Sequence, residues 1–176
     1  MNYAVVLYFD ESSSKKIDAI KRFLKINGVT VEEVVNPHIS LALYSEVDER
    51  KLIEKVKGFA ERKMEMSLML SHIGVFPTEE GVLFFAPKVT PELLAVHADF
   101  IDYMDEFKDQ LAGYYGIDFW TPHITLGMHL PEGELLDAVR LLKNKSVPPI
   151  VVSFQKIAVW EVSPSRQIFE TEFNAT

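Results

Sequence analysis

One short stretch occurs twice in this sequence: PHISL at residues 37–41 and PHITL at residues 122–126. The offset between the histidines, His38 and His123, equals the offset between the hydroxyl residues, and every position of the stretch matches in kind without a gap. Successive side chains of a β-strand point to opposite faces, so each copy presents its histidine and its hydroxyl residue together. The sequence therefore predicts two strands that each carry an imidazole and a hydroxyl on one face.

Two imidazoles beside two hydroxyls suit the chemistry of a phosphate ester. One of His38 and His123 can take a proton from the attacking oxygen while the other gives a proton to the leaving oxygen. Ser40 and Thr125 can donate hydrogen bonds to the phosphoryl oxygens as negative charge develops there. A single histidine on a strand is more often structural, and the repetition in register is what favours a shared site. We therefore expect His38 and His123 to be catalytic and Ser40 and Thr125 to bind phosphate.

Strand alternation extends the same reasoning beyond the two motifs. Ala42 and Gly127, which occupy equivalent positions after the two motifs, are expected on the histidine face, where small side chains leave room for a ligand. Tyr44 and His129 would continue that face towards the rim and contact a sugar or base. Trp120, just ahead of the second motif, is a candidate for stacking on a base, with core packing as its alternative role.

The composition limits the kinds of partner that this chain can have. The 176 residues carry a net charge of −8, which argues against an extended basic surface for long nucleic acid and leaves a small nucleotide or an RNA end as the expected partner. The absence of cysteine excludes disulfides, thiolate metal sites and a cysteine nucleophile. The start of the sequence shows neither a basic leader nor an apolar stretch that spans a bilayer, so we expect a cytoplasmic protein without a membrane segment.

The apolar periodicity predicts an order of helices and strands that repeats. In the first half we expect a strand over 3–9, a helix capped by Ser12 to Ser14 and stopped by Gly28, the first motif strand, and a helix from Asp48. A hairpin follows, whose second strand covers 82–86 and whose first strand shows the alternation Met64, Met66, Leu68, Leu70. In the second half we expect a helix from Thr90 to Leu111, the second motif strand, a helix near Gly133, and strands over 150–160 and 167–173.

A constant offset of about 85 residues relates these two halves, so the sequence predicts one α-β-α-β-β unit used twice. We therefore expect an α+β fold in a single domain of residues 1–176. Its two similar lobes would be related by a pseudo-two-fold axis, with antiparallel or mixed sheets, helices on the outer faces and a central cleft. Such an axis could bring the two histidine strands beside one cleft.

At these residues the chain resembles the two-histidine (2H) phosphoesterase superfamily, which includes 2′-5′ RNA ligase-like proteins and cyclic phosphodiesterases. The family pattern is His-x-Thr/Ser, repeated once, with each copy in a strand of one of two similar lobes. Residues 38–40 and 123–125 both satisfy it, and the resemblance covers nearly the whole chain. It implies cleavage of a 2′,3′-cyclic or 2′-5′-linked nucleotide or RNA end without a metal ion or other cofactor, with the two histidines as acid and base.

Several alternatives stay open at this point. Some RNA ligase-like members carry an arginine just after the second motif, where this chain reads LGMH at residues 126–129, so the resemblance implies hydrolysis more clearly than ligation or tight binding of long RNA. A nucleotide-binding module, or a 2′-5′ RNA ligase-like activity with little hydrolysis, is the alternative. A dihistidine metal site is disfavoured because neither motif supplies a carboxylate, and zinc and iron usually take three or more protein ligands. The sequence leaves open which histidine is the base, which bond breaks and the oligomeric state.

Other polar residues have plainer interpretations. His72 and His97 have no partner in the repeat, and His97 is expected to pack or to be exposed at the edge of a helix. Acidic side chains follow one side of that helix, and we expect them to face solvent. They are Asp99, Asp102, Asp105, Glu106 and Asp109.

Overall fold

The computed structural model describes residues 1–31, 33, 35–62, 66–79 and 81–174. The strands are β1 (Asn2–Phe9), β2 (His38–Ser45), β3 (Ser67–Phe76), β4 (Val82–Pro87), β5 (Ile124–Gly127), β6 (Ile150–Glu161) and β7 (Arg166–Glu172). The α-helices are α1 (Glu11–Ile26), α2 (Glu49–Ala60), α3 (Pro91–Tyr103) and α4 (Glu132–Lys145). None of the helices in these ranges is both long enough and apolar enough to cross a bilayer.

The start of α1 differs from the sequence prediction. The N-cap is Asp10, whose carboxylate accepts a hydrogen bond from the backbone N–H of Ser13 at 2.7 Å. Ser12 to Ser14, the expected cap, lie in the first turn of the helix instead. An Asp carboxylate at the N-cap also interacts favourably with the positive end of the helix dipole. At the other end Gly28 has a φ of 87°, a left-handed conformation that suits a helix stop.

Helix α3 is shorter than the periodicity predicted. It ends at Tyr103, and the chain continues as a 3-10 helix over Asp105–Gln110 instead of an α-helix to Leu111. Just beyond, the backbone N–H of Ala112 donates a hydrogen bond to the carbonyl of Leu43 in β2 at 2.8 Å. This contact with the edge of the sheet draws the chain out of the helix, so tertiary pairing overrides the helical pattern.

The strands form one curled antiparallel sheet. Their order is β2-β1-β6-β3-β4-β5, with β7 paired to β6, and every pair is antiparallel. Although β2 and β5 stand at opposite ends of this order, they contact each other, so the sheet curls until its end strands meet. All four helices pack on one continuous core, with Leu24, Leu52, Leu93 and Ala138 as examples. The prediction of an α+β fold with helices on the outer faces is confirmed.

Strand pairing groups the two halves differently from the predicted α-β-α-β-β unit. β1 lies beside β2, and β4 lies beside β5 in the same way, so each half supplies a β-α-β-α-β unit and β7 is an additional strand. The third strands are exchanged between the halves, because β6 pairs with β1 and β3 pairs with β4. β3 and β6 also pair with each other, and there the hydroxyls of Ser67 and Ser153 lie 2.9 Å apart.

Candidate active site

The first motif lies at the start of β2, where its side chains alternate as expected. His38 faces Tyr8 of β1, and Ser40 faces Val6. Tyr8 and Val6 belong to a small apolar cluster that is separate from the core under the helices. His38 and Ser40 are half-buried on this side, whereas Ile39 is fully buried in the helix-side core. The concave side of the curled sheet therefore carries the imidazole and the hydroxyl.

The second motif is arranged in the same way, with a shorter strand. β5 begins at Ile124, so His123 immediately precedes the strand instead of lying within it. Thr125 faces Phe84 of β4, and Phe84 lies outside the helix-side core. His123 and Thr125 are half-buried like their counterparts in the first motif. Because β2 and β5 contact each other, the fold brings both motifs to one concave face.

Both histidines make the same hydrogen bond to the backbone. Nδ1 of His38 lies 2.8 Å from the carbonyl oxygen of Asn36, and Nδ1 of His123 lies 2.7 Å from that of Thr121. A carbonyl oxygen only accepts, so each Nδ1 carries a proton and donates it. In the neutral form of both rings, Nε2 is then the nitrogen that carries the lone pair.

The ring of His123 is held among apolar aromatic side chains. Its centroid lies 4.9 Å from that of Phe76 and 5.4 Å from that of Phe84, both with edge-to-face geometry. Burial lowers the pKa of His123 below its usual value of 6.5, and the hydrogen bond to the carbonyl of Thr121 only partly offsets this effect. His123 is therefore neutral at pH 7, with a lone pair on Nε2.

The surroundings of His38 are more polar. Tyr8 packs edge-to-face against it, with ring centroids 6.3 Å apart. The hydroxyl of Tyr8 accepts a hydrogen bond from the indole N–H of Trp160 at 2.5 Å and donates one to Oε1 of Gln167 at 2.9 Å. Burial raises the pKa of Tyr8 to about 12, so this hydroxyl stays protonated at neutral pH. His38 therefore lies beside a chain of hydrogen bonds between uncharged groups, whereas His123 lies beside two phenylalanines.

Ser40 is held from two directions by residues that precede the second motif. The indole N–H of Trp120 donates a hydrogen bond to the backbone carbonyl of Ser40 at 2.9 Å. The hydroxyl of Tyr115 lies beside the side chain of Ser40. The sequence drew attention to Trp120 as a base-stacking candidate, whereas Tyr115 was missed. The density of aromatic residues just ahead of the motif was the one signal that could have found it.

A cavity of about 580 Å³ opens beside His123. Its walls are largely aromatic, and among the described residues that line it none is Asp, Glu, Lys or Arg. A volume of this size and an apolar lining with a few polar groups are typical of small-molecule sites. The aromatic residues of the lining are Phe76, Tyr114, Tyr115, Phe119 and Trp120.

Comparisons with known proteins place this fold. The structure is similar to the crystal structure of Escherichia coli LigT complexed with 3′-AMP, with 13% identity, a TM-score of 0.63 and coverage of 99% of this chain and 98% of that chain. It is also similar to TT0787 of Thermus thermophilus, with 15% identity, a TM-score of 0.68 and 98% of both chains covered. Kluyveromyces marxianus Usb1 is more distant, with 10% identity, a TM-score of 0.51 and 94% and 96% coverage. At these identities the likeness concerns the fold.

The sequence itself gives the family. A model of the 2′-5′ RNA ligase superfamily matches residues 9–165, which include both motifs. The chain belongs to the 2′-5′ RNA ligase superfamily. Membership supports an enzymatic phosphoesterase or ligase-like activity and confirms the resemblance on which the two motifs were interpreted. No curated protein sequence is similar enough to this chain to count as a relative.

In this member of the 2′-5′ RNA ligase superfamily, a β-bulge in β2 changes the face of the residues beyond the motif. Ser40 pairs with β1 and so does Ala42, which leaves Leu41 as the extra residue between them. Ala42 and Tyr44 are consequently turned into the helix-side core, where they are 0% and 1% exposed. The prediction that both share the histidine face is wrong, because strand alternation does not continue through a bulge.

β5 carries the same bulge at the equivalent position of the second motif. Thr125 and Gly127 pair with β4, and Leu126 is the extra residue. A Cβ added to Gly127 would lie only 2.6 Å from the carbonyl oxygen of Thr30, so glycine is needed where that loop approaches. The prediction that Gly127 forms the floor of the cleft beside the histidines is therefore wrong, since its backbone contacts the helix side.

The remaining candidate residues lie outside the two motif strands. His129 is exposed just after β5 with a φ of 59°, so it leaves the strand alternation, and Met128 lines the cavity. His72 is exposed beside Ser71, whereas His97 is buried. The acidic side chains along and beyond α3 are exposed, as predicted.

Within the described ranges no group of three or more His, Cys, Asp or Glu is placed to hold a metal ion. Met64, part of the predicted strand alternation, lies outside the described residues.

Proposed function

We propose that this protein is a phosphodiesterase that hydrolyses a 2′,3′-cyclic or 2′-5′-linked nucleotide or RNA end without a metal ion or other cofactor. The observation that supports this most strongly is the matching pair of hydrogen bonds from Nδ1 of His38 and His123 to backbone carbonyls. Both rings thereby have the same tautomer, with Nε2 as the nitrogen for proton transfer. Two such imidazoles on one concave face provide both the base and the acid of a hydrolysis.

The surroundings of the histidines support one assignment of the two roles. His123, whose pKa is lowered by burial, is neutral at pH 7 and acts as the base. Its Nε2 takes a proton from water while the water oxygen bonds to phosphorus. The bond from phosphorus to the departing ribose oxygen breaks, and Nε2–H of His38 gives that oxygen its proton. The product is a phosphomonoester, and a proton passes from His123 to solvent and from solvent to His38 before the next turnover.

The two hydroxyls would stabilise the charge that develops during this step. Ser40 and Thr125 occupy the same position relative to their histidines, two residues along the same face. Each O–H can donate to a non-bridging phosphoryl oxygen, and such donors act most strongly in a partly buried site. Both residues are half-buried. This symmetric pair suits the two non-bridging oxygens of a phosphodiester.

The aromatic cavity beside His123 suits the base of the substrate. Nucleobases stack on aromatic side chains regardless of sequence, and Trp120, Tyr115 and Phe76 all line this space. The uncharged lining fits a phosphodiester, which carries one negative charge, better than a polyphosphate. Escherichia coli LigT, which has a similar fold, was crystallised with 3′-AMP, a nucleoside monophosphate. A small nucleotide or an RNA end is therefore the proposed substrate, in keeping with the net charge of −8.

Two related activities are outcomes of the same test. A nucleotide-binding module would bind one member of a substrate panel and cleave none. A 2′-5′ RNA ligase-like enzyme would run the reverse reaction, in which an RNA 5′-hydroxyl attacks a 2′,3′-cyclic phosphate and joins the ends. The intact pair of histidines favours hydrolysis over binding alone. When no second RNA end is present, water is the nucleophile and the reaction is hydrolysis instead of ligation.

The test is turnover, in EDTA, of a panel containing the four nucleoside 2′,3′-cyclic phosphates, 2′-5′ and 3′-5′ dinucleotides, and a cyclic phosphate of ADP-ribose. Wild type is compared with His38→Ala and His123→Ala. His72→Ala is the matched control, because it removes an exposed histidine that lies outside the site. Identifying the product as a 2′- or a 3′-phosphate shows which bond breaks.

We expect turnover by wild type and by His72→Ala, and little by the other two variants. Full activity in either His38→Ala or His123→Ala would contradict the two-histidine mechanism. Activity that disappears in EDTA and returns with a divalent metal would contradict hydrolysis without a metal ion. Binding of a nucleotide with no turnover across the panel would support the binding module instead.

A further inference from the structure

Two backbone carbonyls at the bulge in β2 accept hydrogen bonds from side chains in the second half of the chain. The carbonyl of Ser40 accepts a hydrogen bond from the indole N–H of Trp120 at 2.9 Å. Nε2 of His97 lies 3.1 Å from the carbonyl oxygen of Leu41. Buried carbonyls need such partners, so these side chains determine the backbone conformation of the first motif.

The two capping side chains also support each other. The rings of His97 and Trp120 are stacked, with centroids 4.0 Å apart and an angle of 2° between their planes. His97 is 1% exposed and Trp120 is 8% exposed. Because both rings are buried and each is hydrogen-bonded to a carbonyl at the bulge, a shift of either ring would move the backbone of Ser40 and Leu41.

Tyr115 adds a contact to the side chain of Ser40. Its ring lines the aromatic cavity, and its hydroxyl lies beside the side chain of Ser40. Burial raises the pKa of Tyr115 and Ser40 partly offsets this effect, as a hydroxyl that donates towards the phenol oxygen does. A hydroxyl both donates and accepts, so Tyr115 can become the donor and leave the proton of Ser40 for a phosphoryl oxygen. Trp120 lines the same cavity and donates a hydrogen bond to the backbone carbonyl of Ser40, so two walls of the cavity meet one phosphate-binding residue.

We infer that Tyr115, together with Trp120 and His97, positions Ser40 for phosphate and so links occupation of the aromatic cavity by a nucleobase to the phosphate contact. This inference rests on the proposed function. Tyr115 is the one of the three that lies beside the side chain of Ser40 and also lines the cavity, so we expect it to distinguish nucleotides from phosphodiesters without a base. Trp120 and His97 are positioning residues that act through the backbone of the motif.

The experiment is a double-mutant cycle between Tyr115→Phe and Ser40→Ala, read out by kcat and KM for the best cyclic nucleotide of the panel. Tyr115→Phe removes one hydroxyl and keeps the aromatic ring, and we expect a fall in kcat of about tenfold with little change in KM. In the Ser40→Ala background the same substitution should have no further effect, because the hydroxyl that lies beside Tyr115 is already gone. Independent effects that multiply in the double variant would overturn the inference.

Trp120→Phe tests the backbone contact, because it keeps a ring against His97 and removes the indole N–H. We expect it to lower kcat while the Tm stays close to that of wild type, and to be nearly silent when Ser40 is already alanine. Tyr103→Phe is the matched control. It removes one polar group from an aromatic side chain of α3 that packs against Phe59 and Arg62. A kcat for Trp120→Phe equal to that of this control would contradict the positioning role.

A second readout separates this inference from the proposed reaction. The dissociation constant of a nucleoside 3′-monophosphate is measured for the same four proteins of the cycle by calorimetry. If wild type turns over no substrate but Tyr115→Phe and Ser40→Ala weaken this binding non-additively, the proposed reaction fails and the positioning of Ser40 stands. If turnover occurs and the cycle is additive in both readouts, the reaction stands and the positioning of Ser40 is wrong.

Discussion

The two histidine motifs share their backbone geometry and differ in what surrounds them. Both rings donate Nδ1–H to the carbonyl two residues earlier, and both strands carry a bulge at the leucine that ends the motif. His123, however, packs against Phe76 and Phe84, whereas His38 packs against Tyr8, which is part of a chain of hydrogen bonds. A repeated sequence therefore gives repeated geometry. The protonation state of each ring depends on neighbours that are not repeated.

The largest expected effect comes from removing each histidine and reading the pH dependence of what remains. His38→Ala and His123→Ala should each lower kcat by about 10² to 10⁴, the usual contribution of one general acid or base. The residual activity of His123→Ala should fall as the pH rises, because it depends on protonated His38. The residual activity of His38→Ala should rise with pH, because it depends on neutral His123. Opposite slopes would reverse the proposed roles of base and acid.

Removal of the hydroxyls should have a smaller effect. Ser40→Ala and Thr125→Ala should each lower kcat by up to about 10², since each variant loses one donor to the developing charge. Ser40→Thr and Thr125→Ser keep a hydroxyl and serve as controls, which should retain most of the activity. Unchanged kinetics in both alanine variants would show that the hydroxyls do not contact the phosphate. A loss in only one of them would reveal a second asymmetry between the motifs.

The buried His97 predicts a loss of stability in acid. Burial lowers the pKa of His97 to about 4, below its ordinary value of 6.5, so between these two values the unfolded chain binds the proton more tightly. The contribution of neutral His97 is therefore complete above about pH 6.5 and is lost as the pH falls towards 4. The loss amounts to about 3 kcal/mol at most.

This loss is measured by denaturant unfolding at pH 7 and pH 4.5, for wild type and for His97→Gln. We expect the free energy of unfolding of the variant to depend less on pH over this range, since it has no group at this position to protonate. An equal dependence in the two proteins would show that His97 is accessible to protons in the folded state.

The smallest effect concerns the pKa of His123 itself. Phe76→Ala should let water reach this ring, so that its pKa rises towards 6.5. Titration of the His123 imidazole by NMR, in wild type and in the variant, measures this change. A pKa of His123 that does not move would mean that Phe84 alone keeps water from the ring.

Much of this architecture could be predicted from the sequence because its signals are local. The motif strands, the caps at Asp48 and Thr90, and the hairpin over β3 and β4 each follow from a few neighbouring residues. The bulge at Leu41 could not be predicted, because no glycine stands beside it, whereas Gly127 beside Leu126 was interpreted as room for a ligand instead of as a mark of irregular backbone. Strand alternation was therefore continued too far, and Ala42, Tyr44 and Gly127 were assigned to the wrong face.

The hydrogen bonds around Ser40 could not be predicted for a different reason. Tyr115 and Trp120 meet this residue only because the chain leaves the helical pattern after Tyr103 and pairs with the edge of β2. That pairing is a long-range contact and has no periodicity in the sequence. The same holds for the stacking of His97 on Trp120, which joins residues from a helix and from a loop.

The exchange of the third strands has a consequence for why the motif occurs twice in one chain. A single β-α-β-α-β unit lacks its own third strand, since β3 pairs with β4 and β6 pairs with β1. The same pairing in a unit standing alone would require a symmetric homodimer, in which two copies swap these strands. Symmetry would then give both motif imidazoles the same neighbours and the same affinity for a proton. Covalent fusion of two copies lifts that restriction, and it allows phenylalanines beside one ring and a tyrosine beside the other.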